Sequence, residues 1–266
     1  MHWRVVVALA AVWLVGCSTL PPSPPQTPLQ RWMASTPMYI AHRGGDADWT
    51  EGTAEAYAHA AAWNSSLALE VPVWRTSDGV WVVSEDPTTG RVFGTDDVIK
   101  RTSWAALAAL RTVRGHHQMA RLVNDVLAVY PRDRIIFVDN KPSTDINGFL
   151  KLLDSYGGAT RFVVKSYWKS KALPQQARKS GYITWGYYYA KDMQDFAATE
   201  SRFDMLGLNY YAPPADFAAM QATGKPIISH IIGNAQAAAA ALHSGASGLM
   251  VSAVQQVIPS TTTTTR

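Results

Sequence analysis

The stretch LEVPVWRTSDGVWVVSED, residues 69–86, decides the fold of this chain. Two apolar runs rich in valine and tryptophan flank RTSDG, and Asp78-Gly79 is a typical tight-turn dipeptide between two strands. So short a connection leaves no room for a crossover helix, so we expect the second run to return antiparallel to the first.

Around this hairpin, short β-branched runs alternate with alanine-rich stretches, the pattern of a parallel sheet with crossover helices. The predicted strands are 38–42, 67–73, 80–84, 134–139, 161–166, 182–187, 204–209, 226–231 and 247–251. The predicted helices are 53–63, 103–111, 121–129, 145–155, 170–179, 192–201, 214–222 and 235–244. If the second strand of the hairpin, 80–84, lies outside the parallel sheet, eight parallel strands remain. The sequence therefore predicts an α/β protein with a (β/α)8 TIM barrel, and a doubly wound open sheet is the alternative.

The N-terminal residues have the composition of a secretory signal. Arg4 precedes the apolar run VVVALAAVWLVG and then Cys17, the only cysteine, which excludes an internal disulfide. LVGC resembles a bacterial lipobox, which implies cleavage before Cys17 and lipidation of its sulfur. We predict a signal peptide over 1–16, a lipidated cysteine with a proline-rich linker over 17–35, a barrel over 36–258 and a disordered tail over 259–266.

Charge excludes one class of partner. The formal net charge is +4 and the pI about 9.1, without a dense block of Lys or Arg, so nothing indicates nucleic-acid binding. In a TIM barrel the chemistry lies at the C-terminal ends of the strands. Several predicted strands end in polar residues, namely His42, Arg43, Glu70, Glu85, Asp86, Asp139, Lys141, Lys165, Asn209 and His230.

The motifs in chain order resemble those of the glycerophosphodiester phosphodiesterases, a family of phospholipase-C-like barrels. They are AHRGG, TEGTAEAYAHA, LEVPVWRTSDG, VVSED, FVDNK and HIIGNAQAAAAALHSGASGLMVS. The resemblance spans about residues 38–258. It implies a (β/α)8 barrel, phosphodiester hydrolysis and a divalent cation, Ca²⁺ or Mg²⁺, bound by carboxylates.

The resemblance also implies roles for single residues. His42 matches a catalytic histidine and Arg43 a phosphate-binding arginine, and Lys141 matches the family's lysine beside the phosphate. Glu70 and Asp139 match two of three metal carboxylates. The third carboxylate position holds Pro72, and the position of the second catalytic histidine holds Glu85. His230 stands where the family has tryptophan.

Two hypotheses concern how Glu85 compensates for these departures. With a two-residue turn at Asp78-Gly79, Pro72 faces Glu85 across the hairpin, so Glu85 lies beside the position that lost its carboxylate. Glu70, Glu85 and Asp139 then form a rewired metal site. Alternatively, Glu85 or His230 supplies the missing acid or base.

The sequence thus predicts an extracytoplasmic lipoprotein, anchored to the bacterial envelope membrane through Cys17, that hydrolyses a glycerophosphodiester or lipid headgroup. The alternative is a catalytically impaired relative that binds a phosphate or lipid headgroup without turnover. A purely structural envelope lipoprotein is a third possibility.

Overall fold

The computed structural model describes residues 25–261, so Cys17 and the predicted signal lie outside the described residues. All nine predicted strands are confirmed. They are β1 (Met38–Ala41), β2 (Ala68–Arg75), β3 (Trp81–Val83), β4 (Ile136–Asn140), β5 (Phe162–Tyr167), β6 (Ile183–Tyr188), β7 (Met205–Asn209), β8 (Ile227–Ile232) and β9 (Gly248–Val251).

Eight of these strands form a closed parallel barrel. Each strand pairs with the next in the order β1-β2-β4-β5-β6-β7-β8-β9, and β9 pairs with β1 to close the ring. Strand β3 lies outside this ring and pairs antiparallel with β2, and its Val82 also forms an isolated antiparallel bridge with Arg121. The (β/α)8 prediction is confirmed, and the doubly wound open sheet is wrong because an open sheet leaves two edge strands unpaired.

Helices surround this ring. They are α1 (Pro28–Met33), α2 (Ala54–Trp63), α3 (Gly90–Phe93), α4 (Trp104–Ala109), α5 (Ile146–Asp154), α6 (Ala172–Lys179), α7 (Pro214–Gln221), α8 (Ala235–His243) and α9 (Val254–Val257). The segment predicted as a helix over 121–129 is a π-helical turn at Leu122–Leu127, and that over 192–201 is two 3-10 turns, Ala190–Asp195 and Glu200–Arg202. Further 3-10 turns lie at His42–Gly44, Ile99–Arg101 and Gly158–Thr160. Among the described residues, no helix is long and apolar enough to span a membrane.

The hairpin register differs by one residue from the prediction. Val73 pairs with Val83 and Arg75 with Trp81, so Pro72 faces Ser84 rather than Glu85. The cause is a three-residue loop that Thr76 closes: its amide donates to the Val80 carbonyl and its hydroxyl accepts from the Val80 amide. Gly79, the third loop residue, has φ +88°, which glycine adopts without strain.

The first helix lies inside the segment predicted as a linker. Helix α1 begins with a capping box at Thr27, and its Leu29 and Trp32 side chains are buried against the barrel interior. The Trp32 ring contacts Phe137 edge-on at 5.5 Å between centroids. The folded part therefore begins before residue 36, because two apolar side chains in a proline-rich context close the N-terminal end of the barrel.

The start of the predicted tail is also in contact with the barrel. The Thr261 amide donates to the Trp63 carbonyl, and Asn64 Nδ2 donates to the Pro259 carbonyl. Residues 259–261 thus pack at the end of α2 and differ from the disordered tail predicted for 259–266.

A period of two along the strands divides the barrel interior into an apolar and a polar end. On five of the eight barrel strands the inward-facing residues begin apolar and end polar, since alternate residues face the same side. The pairs are Ile40 and His42, Ala68 and Glu70, Phe137 and Asp139, Val163 and Lys165, and Ile228 and His230. The polar members gather at the C-terminal ends, which form the mouth of the barrel.

Candidate active site

The chain turns sharply where β1 ends, and this turn presents His42 and Arg43 at the mouth. Arg43, Gly44 and Gly45 all have positive φ, of 49°, 81° and 91°. A Cβ on Gly45 would lie 2.9 Å from the ring of Trp49, so only glycine fits there. Arg43 is a non-glycine residue in the left-handed region, a conformation that the contacts of its backbone and side chain hold in place.

His42 is oriented by a carboxylate. Its Nδ1 lies 3.0 Å from Asp46 Oδ1, and Asp46 also accepts a hydrogen bond from the Ser252 hydroxyl. Burial would raise the pKa of Asp46, but His42 and the Ser252 hydroxyl hold that pKa below its ordinary value. Because an ionised carboxylate only accepts, Nδ1 carries the proton and Nε2 is the ring nitrogen that can take one up.

Arg43 connects the turn to three carboxylates. Its amide donates to Glu70 Oε2 at 2.8 Å, and its guanidinium donates to Glu51 Oε2 at 2.9 Å and lies 3.4 Å from Glu85 Oε1. Burial alone would lower the pKa of Arg43, but the charges of Glu85, Glu51 and Glu70 raise it. The guanidinium is therefore fixed and charged at the mouth.

Glu70 is fully buried and paired with a lysine from another strand. Lys165, on β5, donates from Nζ to Glu70 Oε1 at 2.7 Å, and the same Nζ lies 3.4 Å from Asp139 Oδ2. Burial would raise the pKa of Glu70, but Lys165 and His42 lower it. Burial would lower the pKa of Lys165, but Glu70 and Asp139 raise it well above its ordinary value. Both groups are ionised at neutral pH.

A second lysine bridges the other two carboxylates. Lys141 Nζ lies 2.6 Å from Glu85 Oε1 and 3.0 Å from Asp139 Oδ2. Burial would raise the pKa of Glu85, but Lys165, Lys141 and Arg43 lower it to about 2. Glu85 is thus a carboxylate at neutral pH and has no proton to give, which argues against its predicted role as an acid.

These carboxylates do not fit a divalent cation as they are arranged. Glu70, Glu85 and Asp139 come together as predicted, but each already contacts Lys165, Lys141 or Arg43. A divalent cation bound by Glu70 and Asp139 would have to displace the Lys165 ammonium from both carboxylates and leave that lysine buried without a partner. No group of three or more His, Cys, Asp or Glu side chains within residues 25–261 is arranged to hold a metal ion.

His230 faces the mouth but is neutral. Its Nε2 lies 3.0 Å from the Tyr188 carbonyl oxygen, which can only accept, so Nε2 carries the proton. Burial, with the charge of Lys165, lowers the pKa of His230 to about 3. The ring therefore holds no second proton at neutral pH, and its position favours a packing role over the predicted acid role.

The pocket at the mouth is small. His42, Arg43, Glu85 and Lys165 line it on one side, and Trp185, Tyr187, Tyr189, His230, Ile231 and Met250 line the other. Its free volume is about 30 Å³, room for about two water molecules. Among the charged side chains that line the pocket, Glu85 is the most exposed, at 21%.

Sequence reasoning found most of this site, placed Lys165 at a strand end without giving it a role, and missed Asp46. Lys165 lines the pocket, whereas Lys141, for which that place was expected, does not. Asp46 was not identified as the partner of His42. The signals were a lysine at the inward-facing end of β5, and an aspartate four residues after the histidine.

In the run GYYYAKD, residues 186–192, successive tyrosine side chains point to opposite sides of the strand. Tyr187 and Tyr189 face the pocket, whereas Tyr188 points outward and packs on Phe196 and Trp168. One run therefore serves both the pocket and the helix packing.

One family model matches part of the chain. Residues 42–148 match the Glycerophosphoryl diester phosphodiesterase family. The match begins at His42 and includes Glu70, Glu85 and Lys141, so the resemblance inferred from the motifs is confirmed over these residues, and the motif that begins at His230 lies outside the match. A search of curated protein sequences finds no match.

Solved structures share the fold. An Oleispira antarctica phosphodiesterase in complex with the product sn-glycerol-3-phosphate is 15% identical, with a TM-score of 0.70 over 83% of this chain and 94% of that one. A Parabacteroides distasonis glycerophosphoryl diester phosphodiesterase is 14% identical, with a TM-score of 0.66 over 89% and 95%. The glycerophosphodiester phosphodiesterase of Thermotoga maritima is 19% identical, with a TM-score of 0.65 over 82% and 95%. At these identities the likeness establishes the barrel alone.

Proposed function

We propose that this protein hydrolyses a glycerophosphodiester at the mouth of the barrel, with His42 as the proton-transfer group. The observation that carries the proposal is that a histidine oriented by Asp46 faces the same small pocket as Arg43 and Lys165. The family match from residue 42 supports the reaction class. The glycerol phosphate bound to the Oleispira antarctica protein supports the substrate class.

The residues suggest how the reaction proceeds. His42 Nε2 accepts the proton of the attacking hydroxyl, from water or from the substrate itself, while Asp46 stabilises the resulting imidazolium. The attacking oxygen bonds to phosphorus and the bond to the leaving oxygen breaks, while that oxygen takes a proton from solvent water and the His42 imidazolium returns its proton to solvent. Arg43 and Lys165 donate to the phosphate oxygens, where negative charge accumulates.

A second candidate function has its own observation. At neutral pH neither Glu85 nor His230 carries a proton to give to the leaving oxygen, since their pKa values are about 2 and about 3. A site with one proton-transfer group and fixed cations also suits a protein that binds a phosphate ester without turning it over.

The experiment measures release of glycerol phosphate from a glycerophosphodiester by the wild type and by His42→Ala. We expect the substitution to lower kcat/KM by about 10²–10⁴, the usual contribution of a general base. His243→Ala is the matched control, because His243 is exposed at the end of α8.

Calorimetry with glycerol phosphate separates the remaining outcomes. Binding without release by the wild type would establish the binding protein in place of the enzyme. Release that His42→Ala leaves unchanged would contradict the assigned role of His42.

We further propose that the chain is lipid-anchored outside the cytoplasm, on the support of LVGC at residues 14–17. Wild-type protein is expected in the membrane fraction and Cys17→Ser in the soluble extracytoplasmic fraction. Equal membrane association of both proteins would contradict the anchor.

A further inference from the structure

Five charged side chains lie together beneath the pocket, which we call the carboxylate–lysine cluster: Glu70, Glu85, Asp139, Lys141 and Lys165. They come from β2, the loop after β3, β4 with the residue following it, and β5. Glu70, Asp139 and Lys165 are at most 5% exposed. Such buried charges persist only where each has a partner.

Lys165 occupies the centre of this cluster. Its Nζ lies 2.7 Å from Glu70 Oε1 and 3.4 Å from Asp139 Oδ2, and these two oxygens come from different strands. The rings of Tyr187 and Trp185 lie 5.0 Å and 5.8 Å from the same nitrogen. A cation held between two carboxylates and two ring faces has a fixed position.

Every carboxylate of the cluster already has a cationic partner within the chain. Lys165 faces Glu70 and Asp139, and Lys141 faces Asp139 and Glu85. Arg43 adds a contact to Glu85 while it also pairs with Glu51, and both oxygens of Glu70 accept hydrogen bonds. A dication needs several oxygens turned toward one point. Here one oxygen of each carboxylate lies within 3.4 Å of an ammonium group instead, namely Glu70 Oε1, Glu85 Oε1 and Asp139 Oδ2.

We infer that Lys165 stands in for the divalent cation, so that this protein neither binds nor needs Ca²⁺ or Mg²⁺ at the mouth. The ammonium lines the pocket and donates a hydrogen bond to a phosphodiester oxygen there, where a cation would accept electron density from that oxygen. The catalytic part of this inference rests on the proposed hydrolysis, whereas the part that concerns metal binding does not.

The first test is calorimetric titration of CaCl₂ and of MgCl₂ into purified wild type, Lys165→Ala and the control Lys179→Ala. Lys179 is exposed at the end of α6. We expect no binding by the wild type or the control. Lys165→Ala removes the ammonium shared by Glu70 and Asp139 and should bind Ca²⁺ measurably, at least about ten-fold more tightly than the detection limit that the wild type does not reach.

The wild-type titration decides the inference even where Lys165→Ala does not fold. Binding of Ca²⁺ by the wild type that Glu70→Gln abolishes would overturn it. Folded Lys165→Ala that binds Ca²⁺ no better than the wild type would also overturn it, since the lysine would then not be what occupies the site.

The second test measures release of glycerol phosphate in EDTA and in added CaCl₂. We expect equal rates in the two conditions, and Lys165→Met, which removes the charge, should lower the rate by at least about 10². Loss of activity in EDTA with recovery in Ca²⁺ would overturn the inference. Absence of activity in every condition would overturn the proposed hydrolysis. The titration would still show whether the wild type binds Ca²⁺ or Mg²⁺ at the mouth.

Discussion

The two ends of the barrel interior are built by the same strands and are held together by different forces. At the N-terminal end, Trp32 of α1 packs on Phe137, and apolar side chains fill the remaining space. At the mouth, two residues farther along β4, Asp139 lies among lysines. Apolar burial tolerates imperfect partners, whereas a buried charge without a partner is costly. The comparison teaches that stability at the mouth depends on pairing, and stability at the opposite end on shape.

The largest expected effect is that of Lys165→Met on folding. It leaves Glu70 and Asp139 without their shared cation, so the free energy of unfolding at neutral pH should fall by about 3–5 kcal/mol. Urea denaturation measures this change, and Lys179→Met is the control. The double variant Glu70→Gln/Lys165→Met should recover most of the loss, and no recovery would mean that packing rather than pairing holds the mouth.

At the opposite end, Trp32→Ala removes an aromatic ring from a site that is 7% exposed. We expect the free energy of unfolding to fall by about 3 kcal/mol. This value is at the lower end of the range for a core tryptophan, because α1 is short and peripheral. Arg31→Ala, exposed on the same helix, should change stability by less than about 0.5 kcal/mol. If the loss in free energy of unfolding caused by Trp32→Ala depended on salt concentration, the N-terminal end would also depend on charge, and the contrast between the two ends would be wrong.

Acid should destabilise the mouth selectively. The pKa of Glu85 falls from 4.5 to about 2 on folding, so its ionised form stabilises the protein above pH 4.5, and this contribution disappears as the pH falls toward 2. The amount is on the order of 3 kcal/mol. Between pH 5 and pH 2, the free energy of unfolding should therefore fall more steeply for the wild type than for Glu85→Gln, as measured by denaturation at each pH. An equal pH dependence of the two proteins would contradict the pairing of Glu85.

The smallest expected effect concerns phosphate. Glu85 bridges Arg43 and Lys141, so an incoming phosphate competes with this carboxylate for the same donors. Glu85→Gln should bind inorganic phosphate about ten-fold more tightly, or about 1.4 kcal/mol. Calorimetry measures the affinity, with Asp154→Asn as an exposed control. Weaker binding by Glu85→Gln would show that Glu85 assists the phosphate rather than competing with it.

The sequence predicted the barrel because strand periodicity is local information. Apolar runs and the Asp78-Gly79 turn fix nine strands and the direction of each. The hairpin register required the side chain of Thr76, whose hydrogen bonds lengthen the loop by one residue. Helix α1 was hidden because Pro28 belongs to a proline-rich stretch and also suits the first turn of a helix.

The candidate site was predicted as a set of residues and not as a set of contacts. His42, Arg43 and Glu70 lie where the motifs place them. The partners of the carboxylates could not be inferred, because the motif comparison assigns no role to Lys165, and because Lys141 reaches Glu85 from a different strand. Which charges neutralise one another depends on distances between strands that are far apart in sequence.

The position of α1 has a consequence for orientation. The chain enters the barrel at the end opposite the mouth, since Leu29 and Trp32 cover the N-terminal ends of the strands. Any tether upstream of residue 25 therefore pulls on that end and turns the opening away from the attachment point. A molecule tethered in this way would sample solutes arriving from the surrounding compartment more readily than headgroups of the surface that holds it.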